Sequence, residues 1–158
     1  MAGDMMADSD DAMDLDRVCR DLVHEAPDAI IVSDARGVIR LWNRGAERIF
    51  GFSAGEATGQ SLDIIIPENL RARHWSGYRE VLRTGRSRYA AGELLAVPAV
   101  RKDGSRVSLE FTIVPMATSG GGLIGFAAIL RDVTKRFEEM KTLRAQLAAT
   151  RTRPMGSE

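Results

Sequence analysis

Few side chains in this sequence offer chemistry at neutral pH beyond a fixed charge: two histidines, His24 and His74, and one cysteine, Cys19. A neutral imidazole is a metal ligand, and it titrates close to physiological pH. His74 stands in the run Arg71-Ala72-Arg73-His74-Trp75-Ser76-Gly77-Tyr78. Leu70, His74, Tyr78, Val81 and Leu82 fall on one face at helical spacing, so the imidazole is expected to point inward. An inward imidazole on a rigid helix is either an iron ligand aimed into an apolar pocket or a core histidine bonded to backbone. Cys19 is single, so neither a disulfide within the chain nor a multi-cysteine metal site can form. Lying among Leu15, Val18 and Leu22, it reads as a small apolar residue and not a redox thiol.

No catalytic constellation emerges. His24 ends the first helical pattern, far in sequence from a nucleophile, and Ser33-Asp34 reads as the start of a turn. Gly120-Gly121-Gly122 lacks the Lys-Ser/Thr that completes a phosphate-binding loop, and neither a kinase phosphoacceptor helix nor a cyclase signature follows it. The expectation is a protein that is not an enzyme.

The elements that would position His74 follow from periodicity and punctuation. A short amphipathic helix spans residues 15–26. Ala29 to Ser33 and Val38 to Trp42 flank the turn Asp34-Ala35-Arg36-Gly37 and form a hairpin. Asn43 caps a brief helix that Gly51 stops, and Ser53 with Glu56 makes a capping box closed by Gly59. After Ile64-Ile65-Ile66, Pro67 opens the long helix from Glu68 to Thr84, and Gly85 ends it. From there the period changes to two. Ala90 to Val100 is an irregular strand, Asp103-Gly104 a tight turn, and Val107, Leu109, Phe111 and Ile113 alternate. Leu123 to Leu130 is the last strand, and a charged helix with Val133, Phe137, Met140 and Leu147 at heptad spacing follows. Five antiparallel strands interrupted by helices are an α+β layout.

The 158 residues suit one domain with tails: an acidic tail 1–14, a flanking helix 15–26, a core 27–134, a helix 135–149 and a flexible end 150–158. Six acids and no base precede Arg17; the remaining 22 bases then face 16 acids, a net charge of +6 within a chain neutral overall. Nothing in this balance calls for nucleic acid. The beginning lacks the basic-then-apolar order of a signal peptide, and no run approaches the roughly 20 apolar residues of a membrane span. The expected location is cytoplasmic, with no membrane partner.

Taken together, Pro27-Asp28-Ala29-Ile30-Ile31-Val32-Ser33-Asp34, Gly37, Trp42-Asn43, Ala46, Ile49, Phe50-Gly51-Phe52-Ser53, Glu56 and Gly59 resemble the first half of a PAS core. Arg101-Lys102-Asp103-Gly104-Ser105, Gly125-Phe126 and Arg131-Asp132-Val133-Thr134 resemble its second half and its junction to an outgoing helix. The resemblance covers roughly Asp21 to Arg136. It implies a five-stranded antiparallel sheet with short helices and one longer helix on one face, flanked by N- and C-terminal helices. It also implies a bacterial-type sensor that pairs as a homodimer through those helices. Such a sensor signals to a separate output protein such as a histidine kinase or regulator.

Within that superfamily the Arg73-His74 stretch is similar to haem-binding domains of the FixL and Dos type, whose iron is held by a histidine on the long helix. The resemblance makes His74 the candidate ligand of a b-type haem for gas or redox sensing. Phe111 and Ile113 would form the distal wall, and Tyr78 would lie near the group. Leu95, or Glu93 or Leu94, stands where the FixL pattern has an arginine, and no methionine lies between His74 and Met116. Arg83, Arg79 or Arg86 would meet the propionates. Flavin and yellow-protein chromophores are excluded because the core has no cysteine. A small organic ligand in an apolar cavity, or a cofactor-free dimerisation and protein-interaction module, is the alternative.

Overall fold

The computed structural model describes residues 14–85 and 95–151. In chain order the elements are α1 (Leu15–Glu25), β1 (Ala29–Asp34), β2 (Ile39–Trp42), α2 (Arg44–Phe50), α3 (Ala54–Ala57), a 3-10 turn (Leu62–Ile64) and α4 (Glu68–Thr84). Three long-paired strands and a helix follow: β3 (Leu95–Val100), β4 (Arg106–Ala117), β5 (Leu123–Asp132) and α5 (Thr134–Arg151). The five strands form one antiparallel sheet in the order β2-β1-β5-β4-β3. This is the expected α+β arrangement.

Local chemistry explains the boundaries. In the β1–β2 turn the Asp34 carboxylate accepts from the backbone N–H of Arg36 and of Val38, at 2.9 and 3.1 Å. Asn43 caps α2 by accepting from Ala46 N at 2.9 Å, and Gly51 ends that helix in the left-handed conformation. Ser53 and Glu56 exchange both bonds of the capping box. Pro67 precedes α4 and left-handed Gly85 terminates it, as the spacing predicts.

Alternation decides which strand residues enter the core. Ala29, Ile31 and Ser33 of β1 point inward, as do Val107 and Leu109 of β4 and Leu130 of β5. They pack with Ile39, Trp42, Ala46, Phe50, Ala57, Leu62 and Ile65 between the sheet and the helical segment. Inward alternation fades along β4: Phe111 is half-buried and Ile113 is 39% exposed. Ahead of α4, Leu62–Ile64 winds into a 3-10 turn capped by Ser61, which drops Leu62 and Ile65 into the core.

Several expectations shift at their edges. Asp14, placed in the tail, is the N-cap of α1 and accepts from Asp16 N at 3.1 Å. The strand expected from Ala90 is described from Leu95 onward; residues 1–13, 86–94 and 152–158 lie outside the described part, and with them Arg86, Glu93 and Leu94. Among the described residues no helix is long and apolar enough to cross a membrane.

Candidate functional site

Helix α4 contributes no fully buried residue. It is held by one stripe in which Arg71, His74, Trp75 and Tyr78 stack three and four residues apart. Arg71 donates to Ile66 O at 3.2 Å and to Asp63 O at 3.1 Å. Trp75 Nε1 donates to the Asp63 carboxylate at 2.8 Å. Tyr78 donates its hydroxyl to Asp34 O at 2.6 Å and lies 2.9 Å from Ser33 Oγ.

His74 is the exception in this stripe. Its Nε2 is buried and has no hydrogen-bond partner. The ring meets Trp75 edge-on at 4.8 Å between centroids and lies 5.8 Å from Tyr78, which in turn packs edge-on against Phe126 of β5 at 4.8 Å. Burial among these rings lowers the imidazole's pKa below its ordinary value, and the Asp63 charge offsets this only in part. The histidine therefore favours the neutral form, in which Nε2 can carry a free lone pair.

A sign follows for stability. The folded pKa lies below the unfolded value of roughly 6.5, so the unfolded chain binds more protons as pH falls through that region. His74 thus contributes stability that is complete above the unfolded pKa and declines as pH drops toward the folded one. Urea unfolding at pH 7.5 and 5.5 should show the parent losing stability, and His74→Phe should flatten that change. The carboxylates with shifted pKa are lowered, so their titration falls below this window.

The other sequence-derived site residues are distributed unequally. Tyr78 does lie beside His74, with its hydroxyl already engaged on β1. Phe111 packs against the core rim with Trp75 and Tyr78, whereas Ile113 sits farther along β4 and more exposed. Leu95 pairs with Phe111 across the β3–β4 ladder. Arg83 is exposed and bonded to Glu80 at 2.8 Å, an ordinary i,i+3 helical pair, and Arg79 is exposed. Sequence reasoning left out Ser33, Gly37, Asp63 and Phe126. Ser33 had a signal: a polar residue in phase with Ala29 and Ile31 must find a partner inside. Gly37 has φ +77°, and a Cβ there would stand 2.2 Å from the Trp75 ring.

Among the described residues no three His, Cys, Asp or Glu side chains gather to hold a metal ion. A single imidazole cannot satisfy a bare cation, which needs several protein donors. An unpartnered Nε2 in an aromatic nest does suit a group that brings its other iron ligands with it, as haem does. On this test the residues present fit that group.

A second site lies where the sheet hands over to α5. Arg101 donates to Ile49 O at 2.9 Å, Arg106 O at 3.1 Å and the Asp132 carboxylate at 2.8 Å. Asp132 accepts from Thr134 N at 2.9 Å, Thr134 Oγ1 accepts from Ser108 N at 3.0 Å, and Val133 N donates to Ser108 O at 2.9 Å. One arginine thus joins α2, β4 and the end of β5, whose Asp132 in turn holds Thr134 N at the start of α5. Beyond that turn Phe137, Met140, Leu143 and Leu147 are exposed, and so are Leu15 and Leu22 of α1.

Comparison with known proteins gives this geometry relatives. A family model described as the PAS fold matches residues 23–138. The sensor protein FixL of Bradyrhizobium diazoefficiens is 38% identical over 116 residues, which cover 73% of this chain and 22% of that protein. The oxygen sensor protein DosP of Escherichia coli is 25% identical over 121 residues, 77% of this chain and 15% of its own. The chain therefore spans about a fifth or less of these curated relatives. Among solved structures, the PAS domain of a protein from Colwellia psychrerythraea superposes with a TM-score of 0.67 at 25% identity, covering 77% of this chain and 99% of that domain.

Proposed function

The chain belongs to the PAS fold family, and from that premise we propose that it is a sensory domain whose His74 holds a b-type haem for gas or redox sensing. The observation that carries the reading is the buried, unpartnered Nε2 of His74. Burying a polar atom without a partner costs about 1–3 kcal/mol, a cost relieved when a ligand uses the lone pair. The similarity to two sensor proteins, one of them an oxygen sensor, supports it.

When bound, haem would supply an iron able to take a small gas or to change oxidation state. The chain's own residues do the rest. Trp75 and Tyr78 flank the imidazole with their rings, Phe126 backs Tyr78, and burial holds the imidazole's pKa down. Phe111, with Leu95 beside it in the ladder, lies on the sheet side, and Ile113 extends that wall outward. Arg79 is the exposed helix cation for a propionate, since Arg83 is engaged by Glu80. The Arg101–Asp132–Thr134 junction passes a change in the sheet to α5. The proposal includes a cytoplasmic location, no catalytic step of the chain's own, and an output partner such as a histidine kinase or regulator.

The test is the visible absorption spectrum of the purified protein, with haem titrated in if it emerges colourless. A Soret band in the parent that His74→Ala abolishes is the expected result. No band in the parent overturns the haem reading, and a band undiminished in His74→Ala overturns His74 as the ligand.

The exposed apolar residues of α1 and α5 favour a second reading, a cofactor-free module that pairs through its flanking helices. Phe137 is 56% exposed and Met140 45%, both on the outgoing helix. On either reading the parent is expected to sediment as a homodimer and the double variant Phe137→Glu, Met140→Glu as a monomer. An unchanged profile would argue against pairing through α5.

A further inference from the structure

The bonds that hold α4 divide into two kinds. Arg71 and Trp75 reach Asp63 and Ile66, five to twelve residues back, so their hydrogen bonds fasten the helix to its own approach. Tyr78 reaches Ser33 and Asp34, 45 and 44 residues away. Among the described residues it makes the only side-chain hydrogen bonds that run from α4 to a strand.

We infer that the Tyr78 hydroxyl is the coupling point at which a displacement of α4 enters the sheet and is carried to α5. Asp34 O accepts from both Tyr78 and the Gly37 N–H, the latter at 2.8 Å. The hydroxyl therefore grips the turn as well as the strand. Ser33 is buried at 4% exposure, so its Oγ has little water to turn to. Ser33 faces Phe126 and Asp34 faces Gly125 in the β1–β5 ladder. The Tyr78 ring also rests edge-on against Phe126, which gives the same residue a grip on both strands.

The crossing beneath is too tight to absorb movement. A Cβ on Gly125 would stand 2.0 Å from Ser33 O, so β1 and β5 touch there backbone to backbone. From Gly125 the strand runs without a register break along β1 to Leu130, and its last residue, Asp132, caps the first turn of α5. A shift of Tyr78 thus moves Ser33 and Asp34, then β5, then the start of the outgoing helix. The inference goes beyond the haem reading, because both bonds of the tie run between groups of the chain itself and neither involves His74.

Hydrogen exchange on the cofactor-free protein tests it, with two variants of the same helix. Tyr78→Phe keeps the ring and its packing and removes only the hydroxyl, while Trp75→Phe cuts the bond to Asp63. A hydrogen bond of ordinary net worth corresponds to about fivefold in an opening equilibrium. Tyr78→Phe is expected to speed exchange by about that factor in α4, in residues 125–132 of β5 and in the first turn of α5. Trp75→Phe is expected to act on α4 and leave β5 and α5 at the parent rate. Overturning results are an effect of Tyr78→Phe confined to α4, no effect at all, or the same footprint for both variants. Because no haem is present, failure of the Soret test leaves this result standing, and failure of this test leaves the haem reading standing.

Discussion

Asn43→Ala is expected to lower the domain's stability by about 3 kcal/mol, combining a lost helix cap with buried backbone groups left unpaired. Asn43 is 1% exposed and uses both ends of its amide. Its Oδ1 accepts from Ala46 N at 2.9 Å and from Ile30 N at 2.8 Å. Its Nδ2 donates to Val23 O and Asp28 O, each at 3.0 Å, and more weakly to Ala26 O at 3.4 Å. One side chain therefore caps α2, closes the edge of β1 and fastens the end of α1. Against a total of about 5–15 kcal/mol this is a large share, readable as a shifted urea midpoint. Asn43→Asp keeps the acceptor but faces three carbonyls with a carboxylate, so it should not restore the parent. A midpoint for Asn43→Ala close to that of the parent would show that the amide is replaceable.

Gly125→Ala should be of similar size, about 3 kcal/mol, for an opposite reason: it adds an atom where there is no room. The new methyl would stand 2.0 Å from Ser33 O and 2.9 Å from Asp34 Cα, both backbone atoms that no side-chain rotation can move aside. The strands must separate at the center of the sheet, and cross-strand bonds are lost with them. Gly77→Ala is the internal comparison, since a Cβ there meets nothing within 4 Å in the middle of α4. That substitution should stabilise by about 0.5–1 kcal/mol through helix propensity alone. Equal midpoints for the two variants would refute the steric account.

What the sequence disclosed was what neighbouring residues decide among themselves. Asn43 and Gly51 bound α2, Ser53 and Glu56 open α3, and Pro67 and Gly85 frame α4, all within a few residues of the groups they satisfy. The alternation of Val107 and Leu109 marked the inner face of β4 for the same reason. The inward direction of His74 was legible from its helical phase, yet its lack of a partner was not, nor was the packing of its neighbour Tyr78 on Phe126, 48 residues farther along the chain than Tyr78. Long-range choices were hidden. The insertion of β5 between β1 and β4, the reach of Arg101 to Ile49 and Asp132, and the second task of Asn43 arise only when distant segments meet. The apolar run Ile64-Ile65-Ile66 carried no assignment of its own, because three apolar residues fit a strand or a turn equally well, and the 3-10 turn depends on the Ser61 cap.

The strand order also has a mechanical meaning. β1 begins the sheet in sequence and β5 ends it, yet they are neighbours, with Ala29 opposite Leu130. The incoming and outgoing helices are thus attached at the same end of one antiparallel pair, where Asp28 and Arg131 bond at 2.6 Å. Tension applied between those helices peels this pair open one rung at a time, starting at Ala29, instead of shearing every rung at once. Such a zipper yields to small forces, and its first rungs are the ones beside the Asp132–Thr134 cap. A lever pulling on either helix would therefore open the sheet from its signalling end, while the Tyr78 tie, five residues up the strand at Asp34, would be the last part of the pair to feel the load.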